Sequence, residues 1–440
     1  MATAAKANWD VWGFDVSSAF LQGDALGSGD PDPSALRTFG VAERQLYLRA
    51  PPEYHREGYL LRLKKVVYGY ADAPRRWFVA ADAELRRLGF QPTRVDPAAY
   101  SLSLEGAVCA ILCLHVDDGL VACNAAGWAV AKKFTDRFKV GKLACNDFVF
   151  LGLAIRKNEC GAIVVSQRKY IHDMRPALVC DGRASKKEDR LSPAETTELR
   201  RTLGALQWVA SQTRPDLAGD VSMLQRRVQS PRVADLLAAQ KLVRRLKASD
   251  DLELRFEPTG AGSRTTLLTF TDAALQNVLD NSSPPVKVGS QGGHLVMEVE
   301  TSHGELLRAP RFNLVAWRSR KIQRVCRSSF AAECLEACSA ADTAFVARCL
   351  WSELTGVMPT CYLVTDSLNL RDHIRCIANN TTEKRLKVDL FALKEVFQRE
   401  ELNGLLWIDG TENPADSLTK NSPILGRVLR SCRLDLSTLV

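Results

Sequence analysis

The chain has 440 residues, of which 46% are apolar and 25% charged, with a formal net charge of +8. That is enough for two or three domains with cores of their own, in the composition of a soluble globular protein. The opening MATAAKANWD has no apolar leader core, no stretch is long and uncharged enough to span a membrane, and the 13 cysteines form no C-x-x-C pair. These features favour reduced, buried thiols over disulfides or zinc, and they lead us to expect an intracellular chain. The positive charge leans weakly towards an acidic partner such as nucleic acid.

The first strand expected is Trp9 to Val16, with Asp15 at its end and Phe20 five residues further on. Residues 23 to 40, rich in Gly, Asp, Pro and Ser, read as loop. Leu60 to Tyr70 leads through a bend bracketed by Gly69 and Pro74 into a helix through Leu88, flanked by Lys64, Lys65, Arg75 and Arg76. A solvated basic face is the plain reading of those four cations. Ala107 to Ala122, AVCAILCLHVDDGLVA, runs almost unbroken in apolar residues apart from its Asp117-Asp118-Gly119 break. A continuous apolar run fits a strand buried on both faces, and the break fits a hairpin turn. One Asp before Gly is ordinary turn chemistry. Two adjacent carboxylates raise each other's pKa unless a cation holds them, and hard oxygen ligands suit Mg²⁺. A plain turn and a metal site both fit this stretch alone.

Residues 183 to 248 read as helical. Ser192-Pro193-Ala194-Glu195 is a capping box with Pro at the first helical position, and Leu199, Leu203, Leu206 and Val209 follow at helical spacing. Ser230-Pro231 repeats the start signal, and Arg232, Lys241, Arg244, Arg245 and Lys247 lie in the helix after it. Glu257 to Thr265 is a linker by composition. Four acids then follow in the order strand, helix, strand, helix. LLTFTDA ends a strand at Asp272, SSFAAECLEA opens a helix with Glu333 in its first turn, CYLVTDS ends a strand at Asp366, and Asn413-Pro414 caps a helix carrying Asp416. Each acid alone has an innocent reading as a turn residue or a helix-dipole partner.

DVSSAFLQGD, RLKKVVYGYADAPRRW, LHVDDGLVA, FLGLAI, SQRKYI and TRPDLAGDVS occur in the order found in Ty1/copia-type retrotransposon reverse transcriptases. The chain resembles that family over nearly its whole length. The four later acids, with AWRSRKIQ and NPADSLTK, resemble the ribonuclease H domain that follows the polymerase there. The resemblance implies an α/β (α+β) protein: a right-hand polymerase palm at 1–180 with incomplete fingers, a helical thumb or connection at 181–256, a linker at 257–265, and a ribonuclease H-like mixed-sheet domain at 266–440.

It also implies roles for individual residues. Asp15, Asp117 and Asp118 are the catalytic, metal-binding acids of the palm, and Asp272, Glu333, Asp366 and Asp416 those of the ribonuclease. Each set holds two Mg²⁺, with Mn²⁺ as a substitute. Phe20, Tyr68, Gly69 and Pro74 line the nucleotide pocket, Phe20 crowding a ribose 2′-hydroxyl. His115, Phe150, Leu151 and Gly152 lie at the primer end, and Arg244 and Arg245 grip the template–primer duplex. The implied partners are an RNA template, a DNA primer, an RNA–DNA hybrid and deoxynucleoside triphosphates, in the cytoplasm, a virus-like particle or the nucleus. His115 stands where the family usually has Tyr. Asp15 lies within fifteen residues of Met1, where the family has a fingers segment upstream, so a polymerase lacking its triphosphate-binding fingers is expected. An inert nucleic-acid-binding remnant of a mobile element is the alternative reading.

Overall fold

The structure is a computed structural model. It describes residues 1–23, 46–179, 182–259, 265–279, 287–375, 381 and 383–440. The loop expected at 23–40 lies, from residue 24 onwards, outside the described residues. So do residues 260–264 of the linker. Contacts divide the chain into two compact units: one of residues 9–151 and 353–356, the other of residues 1–8, 152–352 and 357–440.

The first unit is an antiparallel sheet covered by helices. In chain order its elements are β1 (Asp10–Val16), α1 (Ala19–Gln22), α2 (Ala73–Arg87), β2 (Gln91–Pro92), β3 (Ala99–Leu104), β4 (Ala107–His115), β5 (Asp118–Cys123), α3 (Ala125–Arg137), β6 (Val140–Cys145) and β7 (Asp147–Phe150). The sheet order is β2-β3-β4-β5-β1-β6. Trp77, Ala81 and Leu85 from α2 and Ala131 and Phe134 from α3 pack with Phe14, Leu112, Leu114 and Val121 in one core. The expected strand buried on both faces is corrected. Along β4 and β5 fully buried residues largely alternate with half-buried or exposed ones, because the helices cover one face completely and the other is only partly shielded.

The second unit has β8 (Leu153–Lys157), β9 (Ile163–Ser166), α4 (Pro193–Gln212), α5 (Ala218–Gln225), α6 (Val233–Ala248), β10 (Leu254–Phe256), β11 (Thr266–Leu279), β12 (Lys287–Val299) and β13 (Phe312–Lys321). It continues with α7 (Ser329–Thr355), β14 (Thr360–Thr365), α8 (Leu368–Arg375), α9 (Lys384–Gln398), β15 (Gly404–Trp407) and α10 (Ile424–Ser431). Within the unit the strands run β15-β14-β11-β12-β13-β10-β9-β8. β11, β12 and β13 form an antiparallel meander, while β14 joins β11, and β15 joins β14, in parallel. A parallel return needs a crossover, which α7 supplies. Its buried side is mostly small, with Ala331, Ala332, Cys334, Ala337, Ala340, Ala341 and Ala344 beside Glu333, Glu336 and Trp351. This order, three antiparallel strands and two parallel ones linked by helices, is ribonuclease H-like. Residues 153–166, counted with the palm from sequence, extend this sheet through β10, to which β9 is paired.

The helices α4 to α6 share a separate core of Leu199, Leu203, Leu206, Val209, Leu236, Leu242, Val243 and Leu246. Ser192 caps α4 in a full capping box with Glu195. The start expected at Ser230-Pro231 is displaced. The helix is capped at Arg232, whose backbone N–H is taken by Asp235.

Candidate functional site

β4 and β5 form a two-residue hairpin in which His115 pairs with Asp118. The turn is therefore Val116-Asp117, one register earlier than the Asp-Asp-Gly break suggested. Asp118 and Gly119 already belong to β5. Gly119 has a packing reason: a Cβ there would lie 2.0 Å from the Phe14 ring. Val116 has φ 58, left-handed for a β-branched residue. Asp117 is tied by its carbonyl, which accepts from Val16 N at 2.8 Å. Asp15 on β1 faces Asp118 directly in the ladder. Strand pairing thus sets Asp15 opposite Asp118, with Asp117 next to it in the turn. Burial, then the charges of Asp117 and Asp15, pushes the Asp118 carboxyl up. Beside Asp15, β6 presents Gly141, where a Cβ would meet Asp15 Oδ2 at 3.1 Å.

Phe20 meets the exposed Tyr68 ring with centroids 4.6 Å apart. Gly69 has φ 89 and Pro74 opens α2. His115 is exposed beside Asp118. Phe150 ends β7, and the next two residues, Leu151 (φ 48) and Gly152 (φ 79), form a tight turn with both φ positive. Arg244 is exposed on α6, whereas Arg245 is engaged by Asp220 at 2.5 Å.

In the second unit Asp272 lies in mid-strand, not at a strand end, because β11 runs on to Leu279 past a bulge at Gln276. Asp366 directly follows β14, the parallel neighbour of β11. Glu333 is the fifth residue of α7, one turn further in than expected, since the helix starts at Ser329. Ligand oxygens of Asp272, Glu333 and Asp366 lie within 4.8 Å of one another, the one such group among the described residues. Burial and then neighbouring carboxylates raise Asp366 to about 6 and Glu333 well above its usual range, and burial raises Asp272 against the opposing charge of Lys420. Glu333 Oε1 accepts from Ala273 N at 3.2 Å, but its Oε2 is buried with no hydrogen-bond partner. An orphaned carboxylate oxygen beside two further carboxylates fits a hard divalent cation.

Asp416 stands outside that group. Its Oδ1 is 2.6 Å from Lys420 Nζ, which also reaches Asp272 Oδ1 at 3.6 Å. Lys420 is raised despite partial burial, held charged by Asp272 and Asp416. Asn413 is fully buried. Its amide donates to Thr271 O at 3.0 Å and its oxygen accepts from Ala415 N at 3.1 Å, pinning the short 3-10 helix Pro414–Leu418 to β11. His373, in the interval between Asp366 and Asp416, packs on Phe330 with its Nδ1 2.8 Å from Asn369 O. Sequence reasoning missed Lys420, Gly141 and the tie from Asn413 to Thr271. The NPADSLTK run held the signal for Lys420, four residues after Asp416.

Residues 1–178 match the family model described as reverse transcriptase (RNA-dependent DNA polymerase). The chain is 24% identical over 446 aligned positions to the retrovirus-related Pol polyprotein from transposon TNT 1-94 of Nicotiana tabacum, covering 96% of this chain and 30% of that one. It is 24% identical to the putative transposon Ty5-1 protein YCL074W of Saccharomyces cerevisiae, covering 67% of this chain and 93% of that one. The foamy viral protease-reverse transcriptase in complex with dsDNA overlays with a TM-score of 0.47 at 9% identity, over 92% of this chain and 68% of that one. The fold assignment rests on the strand order above and not on that overlay. The chain spans less than a third of the length of the Pol polyproteins it matches in Nicotiana tabacum and Arabidopsis thaliana. Residues 1–178 are thus similar to reverse transcriptases, and most of the chain is similar to Pol polyproteins of transposons.

Proposed function

We propose that this chain is an RNA-directed DNA polymerase joined to a ribonuclease H that cleaves the RNA of RNA–DNA hybrids. The observation that carries the nuclease half is the buried, mutually raised cluster of Asp272, Glu333 and Asp366 with its unpartnered Glu333 oxygen. Asp416 joins these as the fourth acid once Lys420 yields. In the palm, Asp15, Asp117 and Asp118 are the acids, and the Phe20–Tyr68 pair with Gly69 and Pro74 lines the nucleotide pocket. His115 and the Phe150–Gly152 turn serve the primer end, and Arg244 and Arg245 serve the duplex backbone. Mg²⁺, with Mn²⁺ as its substitute, supplies Lewis-acid stabilisation of phosphoryl oxygens in both sites when bound. Asp15, Asp118 and Asp272 sit on paired strands, burial keeps water from Glu333 and Asp272, and the Val16 amide ties Asp117 at its turn. The substrates are an RNA template, a DNA primer, deoxynucleoside triphosphates and the RNA–DNA hybrid, all intracellular. None of the helices in the described residues is long and apolar enough to cross a membrane.

Cleavage of a labelled hybrid with Mg²⁺, with primer extension run alongside, tests both halves. Asp366→Asn is expected to abolish cleavage and spare extension. A well-folded chain that neither cleaves nor extends would leave the inert-remnant reading in front.

A further inference from the structure

The hairpin that carries Asp117 is built on an unfavourable residue. A two-residue turn with positive φ at its first position calls for Gly, and here it holds Val116. Something must hold the left-handed backbone in place. The Val116 carbonyl accepts a hydrogen bond from Trp77 Nε1 at 2.5 Å. Trp77 is 1% exposed and stacks edge-on against Phe138 at 4.9 Å, so its indole is fixed by the core beneath the sheet. A buried indole N–H needs a partner, and the turn supplies it. The Asp117 carbonyl is bound in the same way by Val16 N. Both residues of the turn are thus held from the protein side, one of them by a side chain far away in sequence.

We propose that Trp77 is a positioning residue for Asp117. Its indole N–H holds Val116 in the left-handed conformation that sets Asp117 at the turn, next in chain to Asp118, which faces Asp15. The inference rests on the polymerase reading of the palm acids, but it concerns how the turn is held, which has its own readout. Trp77→Phe keeps an aromatic ring against Phe138 and removes only the donor. Val116→Gly removes the backbone cost that the donor offsets, so it should rescue Trp77→Phe.

The test is Mn²⁺ binding to the palm, followed by electron paramagnetic resonance in the full chain carrying Asp272→Asn and Asp366→Asn to silence the other acids. Trp77→Phe is expected to weaken palm binding by about tenfold, the ratio set by one hydrogen bond of ordinary strength. Adding Val116→Gly should restore most of it. In the otherwise native chain, Trp77→Phe should lower kcat for extension more than it raises KM for the nucleotide, with hybrid cleavage unchanged. Palm Mn²⁺ affinity unaltered by Trp77→Phe would overturn the proposal, as would a loss that Val116→Gly does not repair, or no Mn²⁺ at the palm at all. If the affinities shift as expected while no variant or parent extends a primer, the positioning role stands and the polymerase reading falls.

Discussion

Asp366 carries a cost that a bound cation would remove. Its carboxyl is raised from the usual 3.8 to about 6, first by burial and then by Asp272, so the folded chain takes up a proton that the unfolded chain has already lost. Stability from this group is therefore full below the unfolded value and is lost as pH rises through about 6. In a chelating buffer the melting temperature is expected to fall from pH 5 to pH 7, by roughly a few degrees, and Asp366→Asn should flatten that slope. The same variant should melt higher than the parent in chelator at pH 7 and lose the upward shift that Mg²⁺ gives the parent. Gly119 makes the opposite point, a residue defined by what it must not carry. Gly119→Ala would drive a methyl into Phe14 and is expected to cost roughly 1–3 kcal/mol or more. Phe14→Leu should recover part of that loss in a thermal melt.

At the scale of elements, the strands were easier to read than their edges. The apolar run of 107–122 announced a hairpin, because alternation of buried and half-buried residues needs a long apolar stretch. Its turn was misplaced, because Asp-Asp-Gly looks like turn chemistry while the real turn uses Val116, which no propensity favours. Asp272 was read as a strand end because Thr-Asp-Ala-Ala looks like a finish. Pairing with β12 carries the strand on, and pairing is not written in one segment. Asp272, Glu333 and Asp366, whose oxygens gather within 4.8 Å, were visible in the sequence as acids in the order strand, helix, strand. Lys420 was not, because an i+4 cation after an acid is an everyday helix feature until a third carboxylate lies beside it. Asn413 links two such elements, so Asn413→Ala should do more than uncap a turn. It is expected to cost about 1–3 kcal/mol, as an unsatisfied buried partner does, and to lower hybrid cleavage by loosening Asp416.

For the whole molecule, the net charge of +8 becomes a statement about salt. Hybrid binding should weaken steeply with ionic strength as counterions are released. Arg244→Ala is expected to flatten the log–log salt dependence by about one unit, the share of a single phosphate contact. A filter-binding titration at several salt concentrations measures it. Arg245→Ala should flatten it less, since Asp220 already neutralises that guanidinium.

The short helix Ala2–Lys6 belongs to the second unit. Lys6 Nζ lies 3.2 Å from Glu298 Oε1 and 3.2 Å from Thr265 Oγ1, and Glu298 is wholly buried, with further bonds from Thr259 and Asn313. Residues 9–151 are thus an excursion inserted into another fold. During synthesis the palm can finish folding while residues 1–8 still wait, because their partner strand β12 leaves the ribosome only some 280 residues later. The ribonuclease H-like unit is thus closed by segments that lie on either side of residues 9–151 in the chain.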